Sequence, residues 1–436
     1  MKVGICTLGC KVNTYESEYL IQELEAAGYE IHDFNDINDV YIINTCTVTN
    51  TADIKSRKMI HQAKKRNPDS CVVAAGCFVE ANGQEEVDGV DIYIGTKNKN
   101  KIISLLDEYF INKQPLKSNA LIEQDAKDNT LFEDMFLTHF EGRCRAFVKI
   151  QDGCENFCSY CIIPFVRGKC RSKALPTVVK EVTALVAAGY QEVVLTGIHT
   201  GNYGVDLGIC FADLLKELVK IEGLKRLRIS SIEETELTPQ VLDILRQEKV
   251  IVDHLHIPLQ AGSDHILSLM NRKYTLQQFE HTLQEIRKIR KDIAITTDII
   301  VGFPGESEED FASTLAVAKK FAFAKIHVFP FSPRKGTKAM ELPDHLDGSV
   351  KKSRSRALVS LSNQLEKEYA TSFIGKTLSV LIEEYKDGYS IGHTSNYLKV
   401  KIKQELETNT FYDVMIQDYL LGCCLGQVCK ESVCQL

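Results

Sequence analysis

The segment Cys154-Glu-Asn-Phe-Cys158-Ser-Tyr-Cys161 sets three cysteines at C-x3-C-x2-C spacing on one short stretch. Three thiolates on one loop can ligate three irons of a [4Fe–4S] cluster and leave the fourth iron without a protein ligand. S-adenosylmethionine (SAM) can chelate that iron through its amino and carboxylate groups. An electron from the cluster then breaks the sulfonium C–S bond and gives a 5′-deoxyadenosyl radical. A zinc loop is the competing reading. Zinc asks for four ligands, and Cys170 lies too far along the chain to be a natural fourth.

A second set is dispersed. Leu8-Gly9-Cys10, Asn44-Thr45-Cys46 and Gly76-Cys77 each put a cysteine at the end of a short apolar run. If those runs are parallel strands, their ends share the sheet edge where ligands bind, and the three thiols can converge on a second cluster. Three buried cysteines in a cysteine-rich chain is the alternative. Cys6, Cys71, Cys144, Cys170 and Cys210 are read as packing groups. Cys423, Cys424, Cys429 and Cys434 hint at zinc, but adjacent strand residues point to opposite faces, so packing or exposed thiols are expected there.

The elements that must position these cysteines follow from the apolar pattern. Over residues 1–115, strand-like runs at 3–8, 40–45, 71–75 and 90–94 alternate with helical periodicity at 15–27 and 51–66, which predicts a parallel sheet covered on both faces. Residues 116–140 are polar and aperiodic and read as a linker. Over 141–372 the alternation restarts with strands expected at 146–151, 192–196, 226–230, 254–259, 295–301 and 325–331. Six βα units suit a partial or complete barrel, and an open doubly wound sheet stays possible. A helix over 350–369 precedes strands at 377–383, 397–402 and 410–421, expected to form a small β-barrel over 373–436.

The chain has 436 residues, 44% hydrophobic and 25% charged, as a soluble multidomain protein has. No apolar run is long enough to span a membrane, and residues 1–10 read as a strand rather than a signal peptide. A cytoplasmic protein is expected. Its 15 cysteines then have no call to be disulfides. A net charge of −7 gives no global sign of nucleic acid, so RNA contacts need local basic surfaces.

Taken together, these motifs closely resemble the radical SAM methylthiotransferase family. The resemblance is carried by Leu8-Gly-Cys-Lys-Val-Asn-Thr-Tyr-Glu-Ser17, Asn44-Thr-Cys-Thr-Val48, Ala75-Gly-Cys77, and Cys154 through Gly168. His256-Ile-Pro-Leu-Gln-Ala-Gly-Ser-Asp264 and Thr297-Asp-Ile-Ile-Val-Gly-Phe-Pro-Gly-Glu306 complete it. It implies an α/β chain with an N-terminal parallel-sheet cluster domain, a central radical SAM (β/α)6 partial barrel and a small C-terminal β-barrel of the TRAM type.

It also implies two [4Fe–4S] clusters, one on Cys154, Cys158 and Cys161 that cleaves SAM, and an auxiliary one on Cys10, Cys46 and Cys77. Two SAM molecules serve, one as methyl donor and one as radical source, and a flavodoxin- or ferredoxin-like electron donor is expected. Three branches act on isopentenyladenosine in tRNA, on an aspartate of a ribosomal protein, or on N6-threonylcarbamoyladenosine beside the anticodon (position 37). Lys11-Val12-Asn13 and the Thr-Val-Thr after Cys46 look most like the last, whereas the isopentenyladenosine branch usually shows Gln-Met-Asn after the first cysteine. The product expected is the C2-methylthio derivative. Rivals from other classes are a two-cluster electron-transfer protein and a zinc-bearing RNA-binding module.

The family's pattern implies SAM contacts from Tyr160, Gly197, Ser230, Ser231, Glu233, Gln260, Ser263, Ile300 and Gly302. Isolated residues such as His199 and His254 are expected to be packing or surface groups. For tRNA, the basic helix residues Lys55, Arg57, Lys58, Lys64, Lys65 and Arg66 form one candidate face. Arg167, Lys169, Arg171 and Lys173 follow the cluster loop and suggest a second, with Arg167 and Arg171 also candidates for recognising the modified base. Lys351, Lys352, Arg354 and Arg356 suggest a third, and Tyr397 with Lys399, Lys401 and Lys403 an aromatic–basic surface on the terminal barrel.

Overall fold

The computed structural model describes residues 1–82, 86–116, 131–140 and 144–429. Its N-terminal sheet is parallel, with strands β1 (Lys2–Thr7), β2 (Glu30–His32), β3 (Val40–Thr45), β4 (Cys71–Gly76) and β5 (Ile92–Ile94) in the order β2-β1-β3-β4-β5. Every residue of β3 and β4 is buried, as expected of central parallel strands packed on both faces. Helices α1 (Lys11–Ala26) and α4 (Ile102–Asn112) cover one face through Leu20, Leu24, Ile102 and Leu106. Helices α2 (Asn50–Arg66) and α3 (Cys77–Asn82) cover the other through Ile60, Ala63 and Phe78.

The central unit arranges six parallel strands in an arc. β6 (Arg145–Lys149), β9 (Glu192–Thr196) and β10 (Arg226–Ile229) form one sheet; β11 (His254–His256), β12 (Ala294–Val301) and β13 (Lys325–Pro330) form the other. The chain at 250–252 joins them, with Leu227 N donating to Val250 O at 2.7 Å and Val252 N to Leu227 O at 3.1 Å. A short antiparallel ladder, β7 (Gln151–Asp152) with β8 (Arg171–Ser172), brackets the cysteine loop.

Strand alternation sorts the side chains. Ala146, Val148, Leu227, Ile229, Ile295 and Ile299 pack outward into the core under the helices. Arg145, Arg228, His254, His256, Thr296 and Asp298 occupy the alternate positions and face the lumen. Residues 131–140, expected within a polar linker, pack instead: Met135 and Leu137 are fully buried and Phe140 nearly so. Most of the remaining expected linker lies outside the described residues.

The helix Gly348–Thr371 packs on β13 and leads to a closed five-stranded barrel: β14 (Thr377–Lys386), β15 (Tyr389–Thr394), β16 (Lys399–Ile402), β17 (Phe411–Leu420) and β18 (Cys423–Val428). Cys424 is buried while Cys423 is half-buried, as strand alternation requires; Cys429 follows β18, and Cys434 lies outside the described residues. This barrel docks on the lower rim of the arc. Arg226 donates to Ser379 O at 2.7 Å and to His393 O at 3.0 Å, and Arg145 pairs with Glu383 at 3.1 Å. No helix among the described residues is long and apolar enough to cross a membrane.

Candidate functional site: two cysteine triads at one barrel mouth

The loop carrying Cys154, Cys158 and Cys161 is pinned by backbone. Cys154 N donates to Gly168 O at 3.1 Å, Cys161 N to Cys158 O at 3.0 Å, and Ser159 N to Met270 O at 3.0 Å. Gly153 has φ +75°, and a Cβ there would sit 2.0 Å from Lys169 O, so only glycine fits ahead of Cys154. The three cysteines line a cavity of about 200 Å³ together with His199, Glu233, Gln260 and Arg272.

Arg272 donates from Nη1 to Cys158 Sγ at 3.2 Å and pairs through Nη2 with Glu233 at 2.9 Å. His199 Nδ1 lies 3.9 Å from Cys154 Sγ while Nε2 pairs with Glu236. Against the downward push of burial, these two contacts raise His199 to about 10. Burial raises Cys161 to about 12, so this thiol needs a metal or a cation to ionise near neutrality.

The dispersed triad assembles as the strand ends predict. Cys10 is the N-cap of α1, Cys46 follows β3, and Cys77 opens α3 directly after β4. The thiols lie close enough to act on one another electrostatically, Cys10 on Cys46 and on Cys77. Gly9, at φ +101°, leaves room for Cys46, whose Cβ and Sγ would meet an added Cβ at 2.9 and 3.0 Å. Asn13 laces the two strand ends, donating to Leu8 O at 2.7 Å and Thr45 O at 2.9 Å.

Arg167 joins the two regions. It leaves the helix that follows Cys161, donates from Nε to Cys77 Sγ at 3.3 Å, and binds Glu16 at 3.0 Å and Asp152 at 3.1 Å. Lys149 and Lys99 reach the same Glu16 at 2.8 and 3.2 Å, and Arg171 and Lys149 reach Asp152 at 3.1 and 2.8 Å.

The donor chemistry fits clusters better than single ions. Two thiolates on one zinc, each about 2.3 Å away, lie at most about 4.6 Å apart. Neither cysteine triad closes to 4.8 Å; among the described residues only His256, Asp298 and His327 do. Triads this wide, each rich in thiols and each beside an arginine, suit a [4Fe–4S] cluster.

The family model of the radical SAM superfamily matches residues 148–318, and that of an uncharacterized protein family, UPF0004, matches residues 2–95. The threonylcarbamoyladenosine tRNA methylthiotransferase MtaB of Bacillus subtilis (strain 168) is 44% identical over 410 residues, covering 92% of this chain and 90% of that protein. This chain belongs to the radical SAM methylthiotransferase family. The MtaB of Aquifex aeolicus (strain VF5) is 38% identical over 95% of this chain and 100% of its own length. The tRNA-2-methylthio-N(6)-dimethylallyladenosine synthase of Acetivibrio thermocellus is 35% identical over 86% of this chain and 79% of its own. The radical SAM methyltransferase TsrM of Kitasatospora setae shares the fold, with a TM-score of 0.59 at 15% identity over 78% of this chain and 76% of that one.

As a methylthiotransferase of this family the protein is an enzyme that uses a [4Fe–4S] cluster and SAM, and several expected contacts can be placed against that chemistry. Tyr160 and Gln260 line both the cysteine cavity and an adjoining one of about 220 Å³, which Ile300 and Asp298 also line. Ser231 and Glu233 line the cysteine cavity. Gly197 lies beside it, its missing side chain leaving room for Gln151. Ser230 faces the lumen below. Ser263 and Gly302 line neither cavity: Ser263 bonds Asp310 at 2.5 Å, and Gly302 N donates to Glu306 at 2.6 Å. His199, expected as a packing group, belongs to the cysteine cavity; its place just past the end of β9 was the signal. Arg272 carried no signal in its own surroundings.

The basic residues divide sharply. Arg167, Arg171 and Lys173 do not form a phosphate surface. All three are buried, Lys173 against Glu181, Met135 and Tyr15. The reason is that the chain turns inward after the cluster loop to form β8, and acids from α1, β7 and the helix Leu175–Ala187 receive the cations. Arg354 is likewise buried, on Glu306 at 2.5 Å. Lys64 pairs with Asp91 at 2.7 Å, Arg57 lies over the Phe78 ring and Arg66 over that of Phe34. Lys351 is half-buried over Phe331. Tyr397 is exposed at 39% while its ring stacks on His393 at 4.8 Å and lies against His254 at 5.1 Å. Lys55, Lys58, Lys65, Lys169, Lys352, Arg356, Lys399 and Lys403 are exposed and Lys401 half-buried.

Proposed function

We propose that this protein transfers a methylthio group to C2 of N6-threonylcarbamoyladenosine at position 37 of tRNA. The observation that carries the reading is 44% identity to a threonylcarbamoyladenosine methylthiotransferase across 92% of the chain. Identities of 35–36% to the dimethylallyladenosine synthases support this branch over its sister. We assign Cys154, Cys158 and Cys161 to the SAM-cleaving cluster and Cys10, Cys46 and Cys77 to the auxiliary one. When bound, the two clusters and SAM supply the electron, the radical that abstracts the C2 hydrogen, and the sulfur and methyl of the product.

The protein's own part is placement and charge. Arg272 and His199 place donors against Cys158 and Cys154, where a bound cluster would be ligated. Glu233 fixes Arg272, and Glu236 fixes His199. Arg167 does for Cys77 what Arg272 does for Cys158. Tyr160, beside the third cysteine, closes one wall with its ring edge-on to Phe303 at 6.4 Å. The exposed Lys55, Lys58 and Lys65 of α2, with Lys169, Lys352, Arg356 and Lys399, remain the candidate tRNA contacts, and the terminal barrel is read as a TRAM-type module that presents Lys399. A small flavodoxin- or ferredoxin-like donor and a cytoplasmic location complete the reading.

Nucleoside mass spectrometry of tRNA from a strain lacking the gene tests it. Loss of 2-methylthio-N6-threonylcarbamoyladenosine with accumulation of its unthiolated precursor is expected. Unchanged methylthiolation of that nucleoside, with loss on isopentenyladenosine instead, overturns the substrate assignment.

A further inference from the structure

Below the cysteine cavity the lumen opens into a second cavity of about 430 Å³, lined by Lys11, Ser230, His254, His256, His327 and Tyr397 among others. Most of the lining comes from the arc strands and the terminal barrel, with Glu366 and Tyr369 from the helix Gly348–Thr371. Lys11 is the first residue of α1, directly after Cys10, and the packing of α1 beside β6 delivers it there. Its Nζ has neither a hydrogen bond nor an ion pair among the described residues. Charges acting on it are Arg228, Arg145, Cys10 and Asp298. The Asp298 carboxylate is already engaged, its Oδ2 3.2 Å from His256 Nε2.

Arg228 adds to the cationic side. It is 2% exposed, and Nε donates to Glu192 at 2.7 Å. Both of its terminal nitrogens lack a hydrogen-bond partner among the described residues, as does His254 Nδ1. The guanidinium carbon lies 4.6 Å from the centre of the Tyr397 ring, which lines the cavity. Arg228 thus brings two buried donors without acceptors to the lumen and Lys11 an unpaired ammonium, an arrangement that an anionic group of the right size would satisfy.

We propose that Lys11, backed by Arg228, binds the carboxylate of the threonylcarbamoyl group and so sets which modified adenosine is accepted. This rests on the threonylcarbamoyladenosine reading above. The argument is geometric. C2, N1 and the N6 substituent share one edge of adenine, so the substituent leaves the base on the side where C2 meets the sulfur. Cys10 belongs to the triad assigned to that sulfur, and the next Cα along the chain is only about 3.8 Å away. A side chain at position 11 is thus within reach of whatever N6 carries. An ammonium gains a charge-assisted bond from a carboxylate and meets only hydrocarbon with an isopentenyl group, which leaves it unmatched.

The test uses reconstituted holoenzyme and two anticodon stem-loop RNAs, one carrying threonylcarbamoyladenosine and one its carboxamide, which is alike in shape but neutral. Binding is read by fluorescence anisotropy and turnover as kcat/KM. The wild-type enzyme is expected to favour the carboxylate by roughly 10- to 100-fold, the factor a charge-assisted hydrogen bond carries. Lys11→Gln should bring that ratio close to one, and Lys11→Arg should keep most of it. A wild-type ratio near one, or a ratio that survives Lys11→Gln, overturns the inference while the function stands. Absence of product from the carboxylate RNA with wild-type enzyme overturns the function itself. A wild-type ratio near one overturns the inference even if a variant fails to fold.

Discussion

Glu16→Gln is the sharpest probe of how the N-terminal sheet is fastened to the arc. Glu16 is fully buried and serves Arg167 at 3.0 Å, Lys149 at 2.8 Å and Lys99 at 3.2 Å. The amide keeps the volume and removes the charge. Lys99 would then have no ion-pair partner among the described residues, and Lys149, Arg167 and Arg171 would share Asp152 alone, so buried cations lose their counter-charge. Removing one partner of a buried ion pair typically costs about 3–5 kcal/mol. For a folding unit of 150–250 residues each kcal/mol lowers the melting midpoint by about 2–4 °C, giving an expected drop of about 6–20 °C. Differential scanning fluorimetry of anaerobic protein reads it directly. Removing one cation as well, in Glu16→Gln with Lys99→Met, should recover part of the loss. A midpoint within about 2 °C of wild type would refute the reasoning, because it would mean that these charges are solvated rather than mutually compensated.

Replacing Cys154, Cys158 and Cys161 with Ala should remove about four of eight irons and abolish 5′-deoxyadenosine formation, whereas the Cys10, Cys46, Cys77 triple variant should lose the other four and methylthio transfer; iron and product assays decide, and SAM cleavage by the first variant would sink the loop assignment. Tyr397→Ala removes two ring contacts and the cation contacts of Arg228 and Arg145, and should cost about 2–4 kcal/mol in docking of the terminal barrel, measured by hydrogen exchange of β14 and β15. Lys399→Ala should instead leave the melting midpoint unchanged and reduce the salt slope of tRNA binding by about one. Against the upward push of burial, His393 and Arg145 hold Glu383 below the usual carboxylate range, and Arg228 and Arg226 do the same for Glu192. A depressed carboxylate contributes stability that is present above its unfolded value and lost as pH falls through its folded one, so the docked barrel should loosen only below about pH 4; an unchanged midpoint down to about pH 3 would contradict this.

Much of the fold was legible because its signals are local. Unbroken apolar runs mark β3 and β4, and six spaced runs mark the arc. Three-residue β2 is too short to leave a period. The hairpin between β14 and β15 carries a local signal of its own: Asp387-Gly388 takes φ +52° and +81°, the left-handed pair that a tight two-residue turn uses. The site divides in the same way. Both cysteine triads could be read from spacing and strand ends. The roles of Arg167 and Arg272 could not, because Arg167 finds Glu16 151 residues away and Cys77 90 residues away, and Arg272 finds Cys158 114 residues away. A cation near a cluster loop looks the same in sequence whether it meets phosphate or a buried acid.

The sign of the buried charge carries the argument further than any single contact. Beside the dispersed cysteines, Lys99, Lys149, Arg167 and Arg171 form ion pairs only with Glu16 and Asp152 among the described residues, and no side chain of the six is more than 3% exposed. Two surplus buried cations would be costly unless an anion completes the set. Cys77 is the group that Arg167 Nε addresses, and burial, against the opposing pull of Arg167, raises that thiol to about 11. Ligation of a [4Fe–4S] cluster there would convert the three thiols into thiolates, whose charge exceeds that of the iron–sulfur core and would leave a net negative group beside Arg167. Removing Arg167 as Arg167→Met should therefore leave Glu16 and Asp152 each with two cations, cost less stability than Glu16→Gln, and still lower the reduction potential of the auxiliary cluster, since a nearby positive charge favours the more negative, reduced form. Potentiometry followed by electron paramagnetic resonance separates the two clusters. A potential unmoved in Arg167→Met, with Cys77 still ligated, would show that this charge serves the fold alone.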